Sequence, residues 1–298
     1  MNLPTCLLIG APRAGTTAVH HWLDSHPDVC AARPKETHFF SSEYDRGLEH
    51  YARYFAHRRD EAAVVESTPT YLALPFVPAR IASSLPAVRL VAILREPVQQ
   101  VYSAWWKIHS MGADRRTFAD CVEQELRDGT FDTEASEVCW LETLAATRGG
   151  APIQRSQYLV SGDYAGALAR YDDHFSRDQL TVLLHDDLID DPASVMAALS
   201  RVIGVDVARA PSPVPPHVNE GAGALTASAQ RLVRRVPSAR IRHQVTRVAR
   251  SLDKRPAPQL DPGLRRTLTD YFHDRNRGLS ERIGHDVTHW SQPAMTAS

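Results

Sequence analysis

The sequence predicts an α/β fold built around a central parallel sheet, and three observations predict it. Short, continuous apolar runs recur along the chain at Thr5–Ile9, Ala62–Val65, Val88–Leu94 and Gln179–Leu184. Such runs are typical of strands covered on both faces. Segments of helical period lie between them, and strands alternating with helices imply a parallel sheet. The first run ends at a glycine-containing loop that leads straight into a helix.

Each element has its own warrant. After Thr5–Ile9, residues Ala18, Val19, Trp22 and Leu23 recur at helical spacing, and His26-Pro27 stops the helix. Ala62–Val65 runs into a polar turn, Glu66-Ser67-Thr68-Pro69. Val88–Leu94 is the clearest strand. It ends at Arg95, and Pro97 stands where a helix places its first residue. Val98, Val101, Tyr102 and Trp105 continue that helix. The region 113–175 reads as mainly helical. Gln179–Leu184 is a further strand, followed by a helix around Ala193–Ile203. Pro211–Pro216 breaks the chain, and beyond it Leu264, Leu268, Phe272 and Leu279 form a late helical stripe. These readings make residues 1–290 one domain and 291–298 a frayed tail.

Composition narrows the function. With 298 residues and 43% hydrophobic content, the chain can bury a core without staples. A net charge of −1 argues against a general nucleic-acid binder. Cys6, Cys30, Cys121 and Cys139 are widely spaced and carry no zinc or disulfide pattern. No stretch reaches the roughly 18 apolar residues a membrane helix needs, and the N-terminal residues lack the pattern of a signal peptide. The expectation is a cytoplasmic protein with no membrane insertion and no metal.

The loop Gly10-Ala-Pro-Arg-Ala-Gly15-Thr16-Thr17 matches the P-loop pattern at Gly10, Gly15 and Thr17. Thr16 stands at the lysine position, and a cation appears earlier, at Arg13. Backbone amides of such a turn and the following helix N-terminus still suit an anion. In an NTPase a second strand ends in an aspartate that holds Mg²⁺. Here the best candidate strand ends in Arg95 instead. Two anion sites at neighbouring strand ends describe a nucleotide with phosphates at both ends of its ribose. The plainer alternative for Gly10 and Gly15 is a tight strand–helix turn.

In combination, GAPRAGTT, PKETHFF at 34–40 and LREPVQQVYSAW at 94–105 closely resemble the sulfotransferases that use 3′-phosphoadenosine 5′-phosphosulfate (PAPS). The likeness is strongest to bacterial members related to the heparan-sulfate and other carbohydrate sulfotransferases, and it extends over the chain. The resemblance implies a P-loop-like three-layer fold, with extra C-terminal helices and no metal. It implies a 5′-phosphosulfate site at Arg13, Ala14, Gly15, Thr16 and Thr17. It implies a 3′-phosphate site at Arg95 and Ser103, eight positions apart, with Tyr164 near the adenosine. Many relatives carry lysine where this chain has Arg13. Arginine is effectively always charged, so position 13 is an electrostatic clamp and not a proton donor.

The resemblance also makes Glu36 the general base, with Lys35 beside it. The reaction needs a proton acceptor and cations facing the leaving phosphate. His38 is the main rival base, since an unperturbed histidine accepts a proton near neutral pH. His109, on the helix after Arg95, is a second rival and a candidate substrate contact. ESTPTYL at 66–72 resembles the family's acceptor-side segment, making Glu66, Thr68 and Tyr71 candidate substrate contacts. For Glu66, anchoring the turn is an equal alternative. His285, Asp286 and His289 look like a metal cluster but fit a solvated surface better. The arginine-rich run 231–250 fits the polar side of helices.

The expected activity is sulfuryl transfer from PAPS to a hydroxyl or amine of a small-molecule or glycan acceptor, with a lean towards a specialised metabolite. An ATP-dependent small-molecule kinase and an inactive nucleotide-binding protein are the alternatives. Oligomeric state is not readable from the sequence.

Overall fold

The computed structural model describes residues 1–129, 133–147, 151–210 and 257–291. The Pro211–Pro216 break, the arginine-rich run 231–250 and the tail after Ser291 lie outside the described residues. Five strands form one parallel sheet: β1 (Cys6–Gly10), β2 (Val29–Ala31), β3 (Ala63–Ser67), β4 (Arg89–Leu94) and β5 (Leu180–Leu184). Their order is β2-β3-β1-β4-β5. The four predicted strands are present within a residue or two. β2 is an addition, because three residues are too few to show a period.

Every residue of β1, β2 and β3 is buried, which is why β1 and the first half of β3 read as apolar runs. Helix α1 (Thr16–Ser25) connects β1 to β2 and buries Ala18, Val19, Trp22 and Leu23. After α2 (Gly47–Ala52) and β3, α3 (Val77–Ser84) leads into β4. From β1 the chain crosses to the edge strand β2, comes back to add β3 beside β1, then adds β4 and β5 on the other side. The strand order therefore reverses beside β1, and ligands of open α/β sheets bind at the carboxyl ends of strands at that point. Gly10 and Leu94 end those two strands.

Helix α4 (Pro97–Ser110) starts with the expected proline, and Glu96 caps it by accepting from the Val98 and Gln99 amides at 3.2 and 2.8 Å. The middle region supplies α5 (Phe118–Asp128), α6 (Thr133–Thr147) and α7 (Tyr164–Asp172). After β5 come α8 (His185–Asp190) and α9 (Pro192–Ile203). The C-terminal elements are α10 (Pro262–Arg275) and α11 (Leu279–Ile283). Leu268 and Phe272 of α10 join Val98, Val101, Trp105 and Phe118 in a second apolar cluster beside the main core. Arg282 pairs with Asp172 at 2.6 Å, and Asn276 donates to the Gly162 carbonyl at 2.9 Å. These contacts fasten α10 and α11 onto α7 and the turn before it.

Candidate functional site

The loop between β1 and α1 is shaped by close packing. A Cβ at Gly10 would lie 2.4 Å from Leu72, and one at Gly15 would lie 2.6 Å from Leu188. Gly15 is also left-handed, with φ 86°, a conformation that side chains disfavour. Both glycines are therefore required by the protein's own contacts. No side chain caps α1, which leaves the amides of its first turn for an anion.

Two guanidinium groups meet beside this loop. Arg13 donates through Nε to Ser103 Oγ at 3.0 Å. Arg95 donates through Nη1 to the Arg13 carbonyl at 3.0 Å and through Nη2 to Gln99 at 3.1 Å. Gln100 donates to the Pro12 carbonyl at 3.0 Å, so α4 holds the loop at two points. Arg13 and Arg95 both have lowered pKa values. Burial is the main cause for each, and at Arg13 repulsion from Arg95 adds to it. Neither forms an ion pair within 4.0 Å among the described residues, and Arg95 Nε is buried with no hydrogen-bond partner there. Two half-buried, like-charged groups held together fit an anionic ligand with several charges. The two anion grips expected separately are joined here by the Arg13–Ser103 bond.

Tyr164 stands behind this cluster. It is fully buried and donates to the Arg95 carbonyl at 2.9 Å. Its hydroxyl supports the strand end, which is a different task from the expected contact with adenosine.

The Glu36 segment carries further candidate groups. Lys35 Nζ forms an ion pair with Glu36 Oε1, and His38 Nε2 lies 4.0 Å from Glu36 Oε2. The Glu36 side chain is 42% exposed, whereas Lys35 is 17% exposed. The Glu36 charge acts on both Arg13 and His20. The His38 ring packs against Trp140 of α6 at 5.5 Å. Arg13, Glu36 and His38 are the non-glycine residues with positive φ among the described residues, at 65°, 61° and 55°. Left-handed backbone costs such a residue roughly 1–2 kcal/mol, and it concentrates where surrounding structure overrides it.

Glu66, Thr68 and Tyr71 are buried at 0% exposure. That favours anchoring over the expected direct acceptor contact. Thr68 donates to Glu66, and the Tyr71 hydroxyl accepts from the Phe40 amide at 3.2 Å. Burial pushes the Glu66 carboxyl up to about 7, against the opposing hydrogen bonds from Thr68 and Thr37. His109 is engaged elsewhere. Its Nδ1 lies 3.1 Å from the Arg116 carbonyl, and its ring packs on Trp105 at 4.7 Å. No hydrogen bond or ion pair joins His109 to Glu36 among the described residues.

Two features escaped the sequence reading. His20 is buried on α1, with Nδ1 3.0 Å from Ser67 Oγ. Burial first, then Lys35, lowers its pKa to about 4, so it is neutral at pH 7. Its place four residues after Thr16, hence on the same helix face, was the available signal. The second is a clasp at the end of β5. His289 lies 3.2 Å from Asp186, and Trp290 Nε1 donates to the same carboxylate at 3.3 Å. Hydrogen bonding from His185, then from His289 and Trp290, holds the Asp186 carboxyl well below its usual range. Two of the three residues that looked like a metal cluster instead meet acidic partners on α8, His289 with Asp186 and His285 with Asp187. A cavity of about 260 Å³ between the start of α4 and the C-terminal elements is lined by Glu96, Phe272, Asn276 and Trp290, among others. None of the candidate residues above lines it.

Comparison with known proteins gives a consistent result. The family model described as "Sulfotransferase domain" matches residues 3–220. Human heparan sulfate glucosamine 3-O-sulfotransferase 3B1 is 28% identical over 204 residues, covering 68% of this chain and 47% of the relative. Bovine bifunctional heparan sulfate N-deacetylase/N-sulfotransferase 2 is 26% identical over 319 residues, covering 100% of this chain and 32% of the relative. The chain thus spans less than half the length of these curated relatives. The crystal structure of a sulfotransferase from Alicyclobacillus acidocaldarius has the same fold, with a TM-score of 0.63 at 22% identity, covering 98% of this chain and 100% of that one. With the family model spanning most of its length, the chain belongs to the sulfotransferase-domain family.

Proposed function

We propose that this protein transfers a sulfuryl group from PAPS to a hydroxyl or amine of a glycan or small-molecule acceptor. The observation that carries the reading is the Arg13–Ser103–Arg95 cluster with an exposed Glu36 whose charge acts on Arg13. The donor supplies an activated sulfuryl group. Arg95 and Ser103 grip the 3′-phosphate. The amides of Ala14, Gly15, Thr16 and Thr17, together with Arg13, grip the 5′ end. Arg13 and Lys35 face the charge that develops as the sulfur–oxygen bond to the 5′-phosphate breaks. Glu36 accepts the acceptor's proton as its oxygen or nitrogen bonds to sulfur. His38, 4.0 Å from Glu36, stands beside the base.

The names of the curated relatives point to glucosamine-containing acceptors. The test is incubation of the purified chain with labelled PAPS and two acceptor sets, glucosamine-containing oligosaccharides and small phenols and alcohols. Label transferred to any member supports the reading. Consumption of ATP–Mg²⁺ with phosphorylation of an acceptor, and no transfer from PAPS, contradicts it.

A further inference from the structure

The Glu36 segment is sewn to the end of β3 residue by residue. Glu36 donates its amide to the Ser67 carbonyl at 3.1 Å. His38 donates its amide to Thr68 Oγ1 at 3.4 Å, and Phe40 donates to the Tyr71 hydroxyl at 3.2 Å. Thr37 Oγ1, between the two left-handed residues, accepts the Phe39 amide at 3.2 Å. Thr68 donates to the Glu66 carboxyl, and the Tyr51 hydroxyl reaches it at 3.5 Å.

The Thr68 hydroxyl, with that of Tyr51, makes Glu66 the centre of this seam. A hydroxyl has one proton to donate and two lone pairs with which to accept. Thr68 gives its proton to Glu66 and accepts the His38 amide. The His38 amide is thus held by a hydroxyl whose orientation Glu66 dictates. A carboxyl group is needed because a single group must accept from several donors at once in an enclosed site. Glu66 itself is fully buried and reaches neither the cleft nor an acceptor.

We infer that Glu66 is a positioning residue: its carboxyl holds the segment 36–40, in which Glu36 and His38 are left-handed, and so aims Glu36. The inference rests on the reading of Glu36 as the base, and it adds the device that fixes that base in place. A small displacement of a reacting group costs about a hundredfold in rate, which sets the size of the expected effect.

The test uses the full chain as wild type, Glu66→Gln, Thr68→Val, Glu36→Gln and the Glu36→Gln/Glu66→Gln double variant. Amide hydrogen exchange is followed at residues 37–40, with Leu90–Leu94 of β4 as the internal control. Turnover is followed as sulfate release from PAPS with water as acceptor. The inference expects exchange at residues 37–40 to rise by about tenfold or more in Glu66→Gln and Thr68→Val, with β4 unchanged. It expects turnover in Glu66→Gln to fall about a hundredfold, with KM for PAPS within about twofold of wild type. The double variant should be no slower than Glu36→Gln, because a residue that acts only through Glu36 has nothing left to lose. Wild-type exchange at 37–40 in Glu66→Gln overturns the inference, as does a double variant slowed by the product of the two single effects. Should Glu66→Gln fail to fold, exchange in Thr68→Val decides. If Glu36→Gln keeps wild-type turnover, the base reading alone falls, and the exchange result still judges the role of Glu66.

Discussion

Arg13 and Ser103 stand 90 residues apart in sequence and are joined by a 3.0 Å hydrogen bond. The bond ties the loop after β1 to the second turn of α4, so the two ends of a bisphosphorylated nucleotide would share one rigid support. Ser103→Ala removes the partner of Arg13 Nε and should weaken binding of 3′,5′-adenosine bisphosphate by about 1–2 kcal/mol, roughly tenfold. Calorimetric titration of the variant measures it.

Arg95→Ala should cost more, about 2–4 kcal/mol of bisphosphate affinity, because it deletes a half-buried charge and the support of the Arg13 carbonyl. Glu36→Gln should do the reverse, lowering turnover by about a hundredfold or more with bisphosphate affinity nearly unchanged. Equal effects of the two variants on affinity and turnover contradict the division of roles.

Glu66 gives stability a distinctive pH dependence. Its carboxyl titrates near 7 when folded, against 4.5 for a free group. A raised folded pKa means that the folded protein binds the proton more tightly than the unfolded chain does. The contribution is therefore fully present below about 4.5 and lost as pH rises through 7. His20 runs the other way: its contribution is present above 6.5 and lost as pH falls through 4. Comparing wild type with Glu66→Gln cancels the His20 part. From pH 4.5 to 7.5, wild type should lose on the order of 3 kcal/mol relative to the variant in urea unfolding. A constant difference across that range contradicts the buried-carboxyl account.

Gly15→Ala should destabilise the fold by about 2–4 kcal/mol in the same measurement. The new methyl group meets Leu188 at 2.6 Å, and the residue must keep φ at 86°. A ligand-binding role alone would leave stability of the free protein unchanged.

What could be read from the sequence follows the range of the interactions involved. Val88–Leu94 was legible because its buried part, Leu90–Leu94, is covered on both faces and apolar throughout, and Pro97 marks a helix start by itself. The anion loop was legible because its groups are neighbours in the chain. β2 was not, since three residues carry no period. Glu66 stayed ambiguous because its role depends on complete burial against Tyr51 and Tyr71, which no local pattern encodes. His109 looked like a rival base by residue type alone, and its engagement with Arg116 and Trp105 appears only once the helix is packed. The Asp186–Trp290 contact spans 104 residues, so the C-terminal segment read as plain surface.

The most direct test of the central claim is calorimetric titration of the chain with 3′,5′-adenosine bisphosphate, with ATP plus Mg²⁺ as the comparison. The account predicts tight binding of the bisphosphate without metal, lost in Arg95→Ala. Clear binding of ATP–Mg²⁺ with none of the bisphosphate would contradict it.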